Sequence, residues 1–459
     1  MFNFKTLKLT KRCDSESTNS FVGIRRGANN ELEFRLPHGF DKFPKDDFEA
    51  TKDLFFKMYR TFKKFERDST REIVDQRATG KDQIQKEKDG YRFKNKEDND
   101  VVLYSKIALI ENLLDVYRDL ALDQMERRIG ADEKVDYSKI DRYLDRAIYL
   151  PKDVIYIDEM DLPRQTVRYE STTLIDLFCF IVSELQNELA HDLEPRVQEL
   201  AHRFSEQHLS HEESLFNGET FETTIRTLKG VLDNIDKRTA YKDEDYWRLY
   251  EGIETFLYGE LDMENPDELG TFWGISNFSS VWEDMCSTYH FANAFDDVLY
   301  ADTNIIFNGQ RIANAKSARY FPIYKKADFV DPFFIEFRGK KRWMRPDLVL
   351  KDLHSIFIFD WKYMSENCFI HHNKKVQTDI IKQLCYEFTL QKSRVSDVIK
   401  SYFFIPWLYS ESQMISLEIE ESFGDFITDD LLHIRLKNNK LRVIKANFSK
   451  IQEIYLTHD

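Results

Sequence analysis

The sequence predicts an α/β protein of α+β character, with a β-rich start, a mostly helical N-terminal region over 1–270 and a mixed-sheet C-terminal domain over 271–459. Three observations predict it. Residues 345–363, RPDLVLKDLHSIFIFDWKY, read as two strands joined by a short turn, and the second is apolar on both faces, as a buried strand is. Segments between 101 and 258 repeat apolar residues at helical spacing. From Thr271 onward the chain turns aromatic and strand-rich, with helical runs in between.

Taken in order, FVGIRR and ELEFRLP flank the turn-like GANNE and predict a hairpin. DDFEATKDLFFKMYRTFKKFE predicts a helix with Phe55, Met58, Tyr59 and Phe62 on one stripe. The charged stretch 68–100 reads as an exposed loop or a β excursion, and a long helix is expected over 101–129. VIYIDEMDLP reads as a short strand and turn. Helices follow at 171–190, 194–206, 220–238 and across DEDYWRLYEGIETFLYG. SSVWEDMCSTYHFANAF reads as helix, then strands near 303–307 and 319–324, then the 345–363 hairpin. TDIIKQLCYEFTLQ predicts an amphipathic helix with Ile380, Ile381, Leu384, Cys385 and Phe388 as its core stripe and Asp379, Gln383 and Tyr386 on another face. Strands YFFIPWL, ISLEI, LHIRLK and LRVIKANF complete the sheet.

Length and composition bound the rest. At 459 residues the chain has room for two or three domains, and 42% hydrophobic with 32% charged residues suits a soluble globular protein. No apolar run approaches a membrane span, and MFNFKTLKLTKRCDSES lacks the apolar core of a signal peptide, so a cytoplasmic protein is expected. Five cysteines without CxxC spacing indicate neither a disulfide framework nor a zinc site. His208 and His211 have a ligand-compatible i,i+3 spacing, but no HExxH pattern accompanies them, and a polar surface helix accounts for both. A net charge of −15 opposes phosphate at long range, so nucleic-acid contact needs a local basic patch. Lys340, Lys341, Arg342 and Arg345 before the hairpin, with Lys374 and Lys375 after it, supply one; lysines protecting a sheet edge are the alternative.

The chemistry concentrates on the hairpin. Along IFIFDWKY, Ile356, Ile358, Asp360 and Lys362 share one face. If the turn closes tightly around Asp352 and Leu353, Asp347 falls opposite Ile358 and diagonal to Asp360. Two carboxylates and an ammonium then converge at one end of a buried sheet, where unpartnered charge is costly. Paired carboxylates suit a hard cation such as magnesium, or manganese in its place, and a lysine beside them can stabilise developing charge. An exposed Asp–Lys pair on a surface hairpin is the plainer alternative.

Pro346-Asp347, then Asp360-x-Lys362, resembles the PD-(D/E)xK nuclease signature. RPDLVL, IFDWKY and DIIKQLCYE, in that order and with a WED-containing helix upstream, resemble the McrC/LlaJI-type restriction endonucleases; FVGIRR and LPHGF resemble the LlaJI branch. The resemblance covers about the last two-fifths of the chain strongly. It implies a nuclease-like C-terminal domain and metal-dependent cleavage of double-stranded DNA in a restriction, anti-phage system. It also implies an McrB-like AAA+ NTPase partner; this sequence contains no GxxxxGK[ST] of its own. Carried over by position, Asp347 and Asp360 bind the metal and Lys362 is the catalytic lysine. Glu283 is the candidate for an additional helical glutamate, against a capping box at Ser280–Glu283. Gln383 and Tyr386 match polar positions of the following helix, as DNA or active-site contacts or as a solvated face. Arg345, Arg342 and Lys341 are the further DNA candidates, and the 1–270 region would dock the partner or recognise DNA. A non-catalytic scaffold with the nuclease fold and a self-sufficient site-specific endonuclease are the competing functions.

Overall fold

Strands β1 (Lys8–Thr10), β2 (Val22–Arg26) and β3 (Leu32–Arg35) open the chain. β2 and β3 form the predicted antiparallel hairpin, and β1 lies parallel to β3. Helix α1 (Phe48–Asp68) buries Phe55, Met58, Tyr59 and Phe62, the stripe its periodicity predicts. Strands β4 (Gly90–Lys94) and β5 (Asp100–Tyr104) pair antiparallel, so part of the charged 68–100 stretch is a β excursion. The helix expected over 101–129 starts later, as α2 (Ala108–Asp119), because the β-branched run DVVLY enters the sheet instead; its expected continuation over 120–129 lies outside the described residues. This computed structural model describes residues 4, 7–10, 21–27, 31–68, 90–94, 100–104, 107–119, 134–135, 137–151, 154–157, 164–165, 169–239, 242, 244–259, 271–294, 298–303, 305–311, 334–337, 340–343, 346–351, 355–370, 374–392, 398–409, 423–424 and 441–458. The strands expected at 319–324, ISLEI and LHIRLK lie outside them.

The chain divides into two compact units: Ala108–Met263, and Asn3–Ile107 together with Glu264–Asp459. The β-start therefore belongs with the C-terminal segment, where the sequence reading groups 1–270 together. The first unit begins with α2 and continues through β6 (Lys134–Val135), a 3-10 segment (Tyr137–Arg146), a hairpin of β7 (Ile148–Leu150) and β8 (Val154–Tyr156), and β9 (Arg164–Gln165). Four helices follow near the predicted positions: α3 (Tyr169–Glu188), α4 (Pro195–His208), α5 (Phe221–Arg238) and α6 (Glu244–Tyr258). α3 is buried through most of its length, and Arg203 of α4 forks onto its Asp176 at 2.7 and 2.5 Å. His208 ends α4 with its ring 4.8 Å from Phe204, and His211 lies beyond the helix, so the two do not share a helical face.

The second unit continues with β10 (Thr271–Ile275), α7 (Ser279–Ala294), β11 (Val298–Ala301), β12 (Ile306–Phe307), β13 (Gln310–Arg311), β14 (Phe334–Phe337), β15 (Lys340–Trp343), β16 (Leu348–Lys351) and β17 (Ser355–Trp361). Helices α8 (Glu366–Ile370) and α9 (Lys374–Lys392), strands β18 (Val398–Trp407), β19 (Phe423–Gly424) and β20 (Leu441–Asn447), and helix α10 (Phe448–Thr457) end it. One sheet has the order β1-β3-β2-β10-β5-β4, so β10 is its central link between N- and C-terminal segments. The second has the order β11-β16-β17-β18-β20-β19, with β17, β18 and β20 parallel and the outer strands antiparallel. The chain is thus a mixed α/β protein with mixed sheets. Parallel neighbours need a crossover, and α8–α9 provides the one from β17 to β18.

Trp273 of β10 anchors the first sheet. It is fully buried, with ring centroids of Phe55 at 5.0 Å, Phe62 at 5.1 Å and Tyr59 stacked at 6.2 Å. Beside it, Gly274 pairs with Gly23, both at positive φ (135° and 140°). A Cβ on Gly274 would lie 2.2 Å from the Val22 carbonyl oxygen. Gly39 ties the N-terminal segment to the second sheet: Leu408 N–H donates to its carbonyl at 3.1 Å.

Trp273→Ala is expected to cost about 3–5 kcal/mol of unfolding free energy, measured by denaturant titration. Removal of residues 1–107 is expected to leave the C-terminal segment without native-like near-ultraviolet circular dichroism, because it strips β2 and α1 from Trp273. A native-like spectrum from that truncation would show the segment to be self-standing.

Candidate functional site

The 345–363 hairpin forms, with a different turn. β16 and β17 pair as Leu348↔Phe359, Val349↔Ile358, Leu350↔Phe357 and Lys351↔Ile356. Four residues rather than two separate the closing pair, which moves the register by two and leaves every side chain on its expected face. One step past the Leu348↔Phe359 pair, Asp347 is therefore level with Asp360 instead of Ile358. Both are buried, at 7% and 5% exposure. The Trp361 backbone N–H donates to Asp347 Oδ2 at 2.8 Å, and Asp302 N–H donates to the Asp347 carbonyl at 2.8 Å, so the first acid is oriented by backbone on both sides.

Lys362 follows directly. Its N–H donates to the Phe404 carbonyl at 2.8 Å, and its Nζ lies 2.9 Å from Asp360 Oδ2 and 3.6 Å from Asp379 Oδ1. Burial works against its charge, but Asp360, Asp379 and Asp347 together outweigh this and hold the pKa well above the ordinary lysine value. The surface-pair alternative does not describe this geometry, since both carboxylate partners are almost wholly removed from water. Next along the chain, Tyr363 Oη accepts the His38 N–H at 3.1 Å, and the two rings are 4.7 Å apart, so the LPHGF segment buttresses this strand end.

Helix α9 covers the Asp360 face with a rotation the apolar periodicity did not predict. Ile381, Cys385 and Phe388, expected in the core, are exposed; Val376, Asp379, Ile380, Gln383, Tyr386 and Leu390 are buried. Turning Asp379 inward toward Lys362 puts Ile381, two residues on, across the helix. Neither Gln383 nor Tyr386 is a solvated position. Gln383 Nε2 reaches the Ile358 carbonyl at 3.4 Å, and Tyr386 packs with Val349, Ile356, Ile358 and Ile399. Two buried oxygens, Asp379 Oδ2 and Gln383 Oε1, have no hydrogen-bond partner among the described residues. Asp379 was legible as a member of the Gln383 face, but no spacing in the sequence tied it to Lys362.

Helix α7 lies against the opposite face of β17. Its His290 ring stacks 4.9 Å from Phe359 and 6.1 Å from Trp361, with Phe404 edge-on at 5.0 Å. Trp361 is thus a core residue, and burial pushes the His290 imidazole down to about 3. Glu283 is half-buried near the start of α7, and Ser280 is the second residue of that helix rather than its N-cap, so the capping-box geometry does not form. Burial, then Asp347, then Glu283 raise the pKa of the Cys286 thiol well above its usual value.

The basic cluster is only partly described. Lys340, Lys341 and Arg342 lie on β15, paired with β14, while their side chains and Arg345 lie outside the described residues. Lys374 and Lys375 are exposed in the first turn of α9. Hard carboxylate oxygens at the strand end suit magnesium, which accepts one or two carboxylates and retains waters. Among the described residues no group of three or more His, Cys, Asp or Glu is gathered to hold a metal ion.

No protein-family model and no curated protein matches the sequence. A solved structure, the refined half-complex from a tetradecameric assembly of Thermococcus gammatolerans McrB AAA+ hexamers with bound McrC, is similar at a TM-score of 0.25 and 9% identity, over 95% of this chain and 81% of that one. No described helix is long and apolar enough to cross a membrane.

His290 sets an acid limit on stability. Its folded pKa of about 3 lies below the ordinary 6.5, so the unfolded chain binds a proton that the native chain refuses. This contribution is intact above pH 6.5 and is lost as pH falls toward 3, by about 2 kcal/mol between pH 6.5 and 5. His290→Phe is expected to flatten that part of a stability-versus-pH curve measured by urea titration; an unchanged slope would assign it to other groups.

Proposed function

We propose that this chain is the DNA-cleaving subunit of a restriction system: a magnesium-dependent endonuclease, also served by manganese, that hydrolyses phosphodiester bonds in duplex DNA. The observation that carries it is the meeting of Asp347, Asp360 and Lys362 at the end of a buried hairpin, with Lys362 Nζ 2.9 Å from Asp360. Such charges cost several kcal/mol each to desolvate, and a purely packing role would be met better by apolar residues of similar volume. Asp347 and Asp360 would hold the cation, which when bound supplies Lewis-acid polarisation of the phosphate and neutralises its charge.

The chain's own residues do the rest. The Trp361 N–H fixes one oxygen of Asp347, which limits how that carboxylate turns. Lys362, held beside Asp360 and Asp379, would orient and stabilise negative charge on the phosphate. Glu283, half-buried near the start of α7, is carried over from the motif resemblance as a further acid and is not gathered with Asp347 and Asp360 into a three-ligand group in this structure. Duplex DNA would approach over Lys341, Arg342 and Arg345, whereas Gln383 and Tyr386, expected as DNA contacts, are buried against Ile358 and support the strand instead.

An McrB-like AAA+ NTPase partner follows from the motif resemblance and from charge. Salt-sensitive DNA binders make roughly six to ten phosphate contacts, and this chain of net charge −15 has a small basic cluster just before the hairpin in sequence. The partner would supply most of the grip on DNA.

Asp360→Ala is expected to lower magnesium-dependent cleavage of a long duplex by roughly 10³-fold or more. The variant should remain folded, because Asp379 still faces Lys362. Undiminished cleavage would remove the site assignment. Glu283→Gln should reduce cleavage if Glu283 binds the cation, and near-normal rates would take it out of the site. Fast nucleotide-independent cutting by the chain alone would replace the two-component reading with a self-sufficient endonuclease.

A further inference from the structure

Lys362 lies between two carboxylates, and the proposed chemistry occupies only one of them. Asp360 Oδ2 is at 2.9 Å and Asp379 Oδ1 at 3.6 Å. Asp379 is 4% exposed and its Oδ2 is buried with no hydrogen-bond partner among the described residues. Its other cationic neighbour, Lys382 at 3.6 Å from Oδ1, is 54% exposed and screened by solvent. An acid on the buried face of α9, in place of the apolar residue that would pack there, calls for a cation on the inside.

We propose that Asp379 is the positioning residue of this site: the carboxylate that receives the Lys362 ammonium when Asp360 turns its charge to a divalent cation. The inference rests on the metal-dependent reading above. Asp360 Oδ2 cannot hold an ammonium in contact and neutralise a cation at full strength, because the two positive charges repel each other across one carboxylate. Lys362 needs to move only a fraction of an ångström to bring Asp379 into contact. Its backbone stays fixed by the Phe404 carbonyl, so the side chain pivots without moving the strand. In that position the ammonium remains beside the cleft and faces the phosphate, held by an acid that binds no metal.

The test measures magnesium and manganese affinity of the full chain without DNA, by titration calorimetry, beside single-turnover cleavage. Asp379→Asn keeps the shape and removes the charge. It should weaken cation binding about tenfold or more, the range seen when an outer partner of a metal ligand is lost, and lower kcat with little change in KM. Asp379→Glu should restore part of both. In a Lys362→Gln background, Asp379→Asn should have no further effect on cation affinity, because no ammonium is left to receive. That background also keeps the test usable if Asp379→Asn alone does not fold. Wild-type cation affinity and kcat in Asp379→Asn, or an undiminished effect in the Lys362→Gln background, would overturn the inference and leave the nuclease reading standing. Absence of both cation binding and cleavage in the wild type would overturn both.

Discussion

The pairing of Lys362 with Asp360 and Asp379 is the constraint around which the C-terminal sheet is arranged. Two carboxylates this far removed from water, at 5% and 4% exposure, are tolerable only with a cation in reach. Asp360 comes from the same strand, two residues earlier, and its position is settled by the period of the strand. Asp379 comes from the crossover helix, and meeting it sets how α9 rotates on the sheet. That rotation buries Gln383 and Tyr386 and turns Ile381 and Phe388, at 61% and 55% exposure, to the outside. A charge interaction has here prevailed over the apolar stripe of its own helix.

The N-terminal segment serves this strand end from a distance in sequence. β10 carries Trp273 into a pocket of Phe55, Tyr59 and Phe62, so the first hundred residues and the last two hundred share one core. His38 and Gly39 then reach the second sheet at Tyr363 and Leu408. The close Gly23–Gly274 crossing makes this arrangement possible, since a side chain at either position would strike the facing backbone. Residues 108–263 form their own compact unit, inserted in sequence between the two parts of the other.

Much of this was legible in the chain, and the limits of that legibility have physical causes. Period-2 alternation in IFIFDWKY put Asp360 and Lys362 on one face, and the face survived a two-residue change of register because side-chain direction depends only on parity. The helices α3 to α6 were readable because each has a long apolar repeat. The start of α2 was not, since VVLY is apolar under either period and only its pairing with β4 and β10 made it a strand. The pairing of the β-start with the C-terminal segment was not legible either, because strand pairing joins residues some 250 positions apart, as in Ile275↔Val22, and leaves no mark on local composition.

By itself the sequence determined the mixed α/β class, the two-strand motif with its paired acids and lysine, and the local elements that alternation and helical periodicity encode. Only the tertiary structure decided that Asp347 stands level with Asp360, that α9 offers Asp379 to Lys362, and that the N-terminal strands complete a sheet through β10. Local pattern fixes which way a side chain leaves its own backbone. Which charge meets which depends on the packing of elements distant in sequence, where the cost of an unpartnered buried charge exceeds the preference of any one helix for its apolar face.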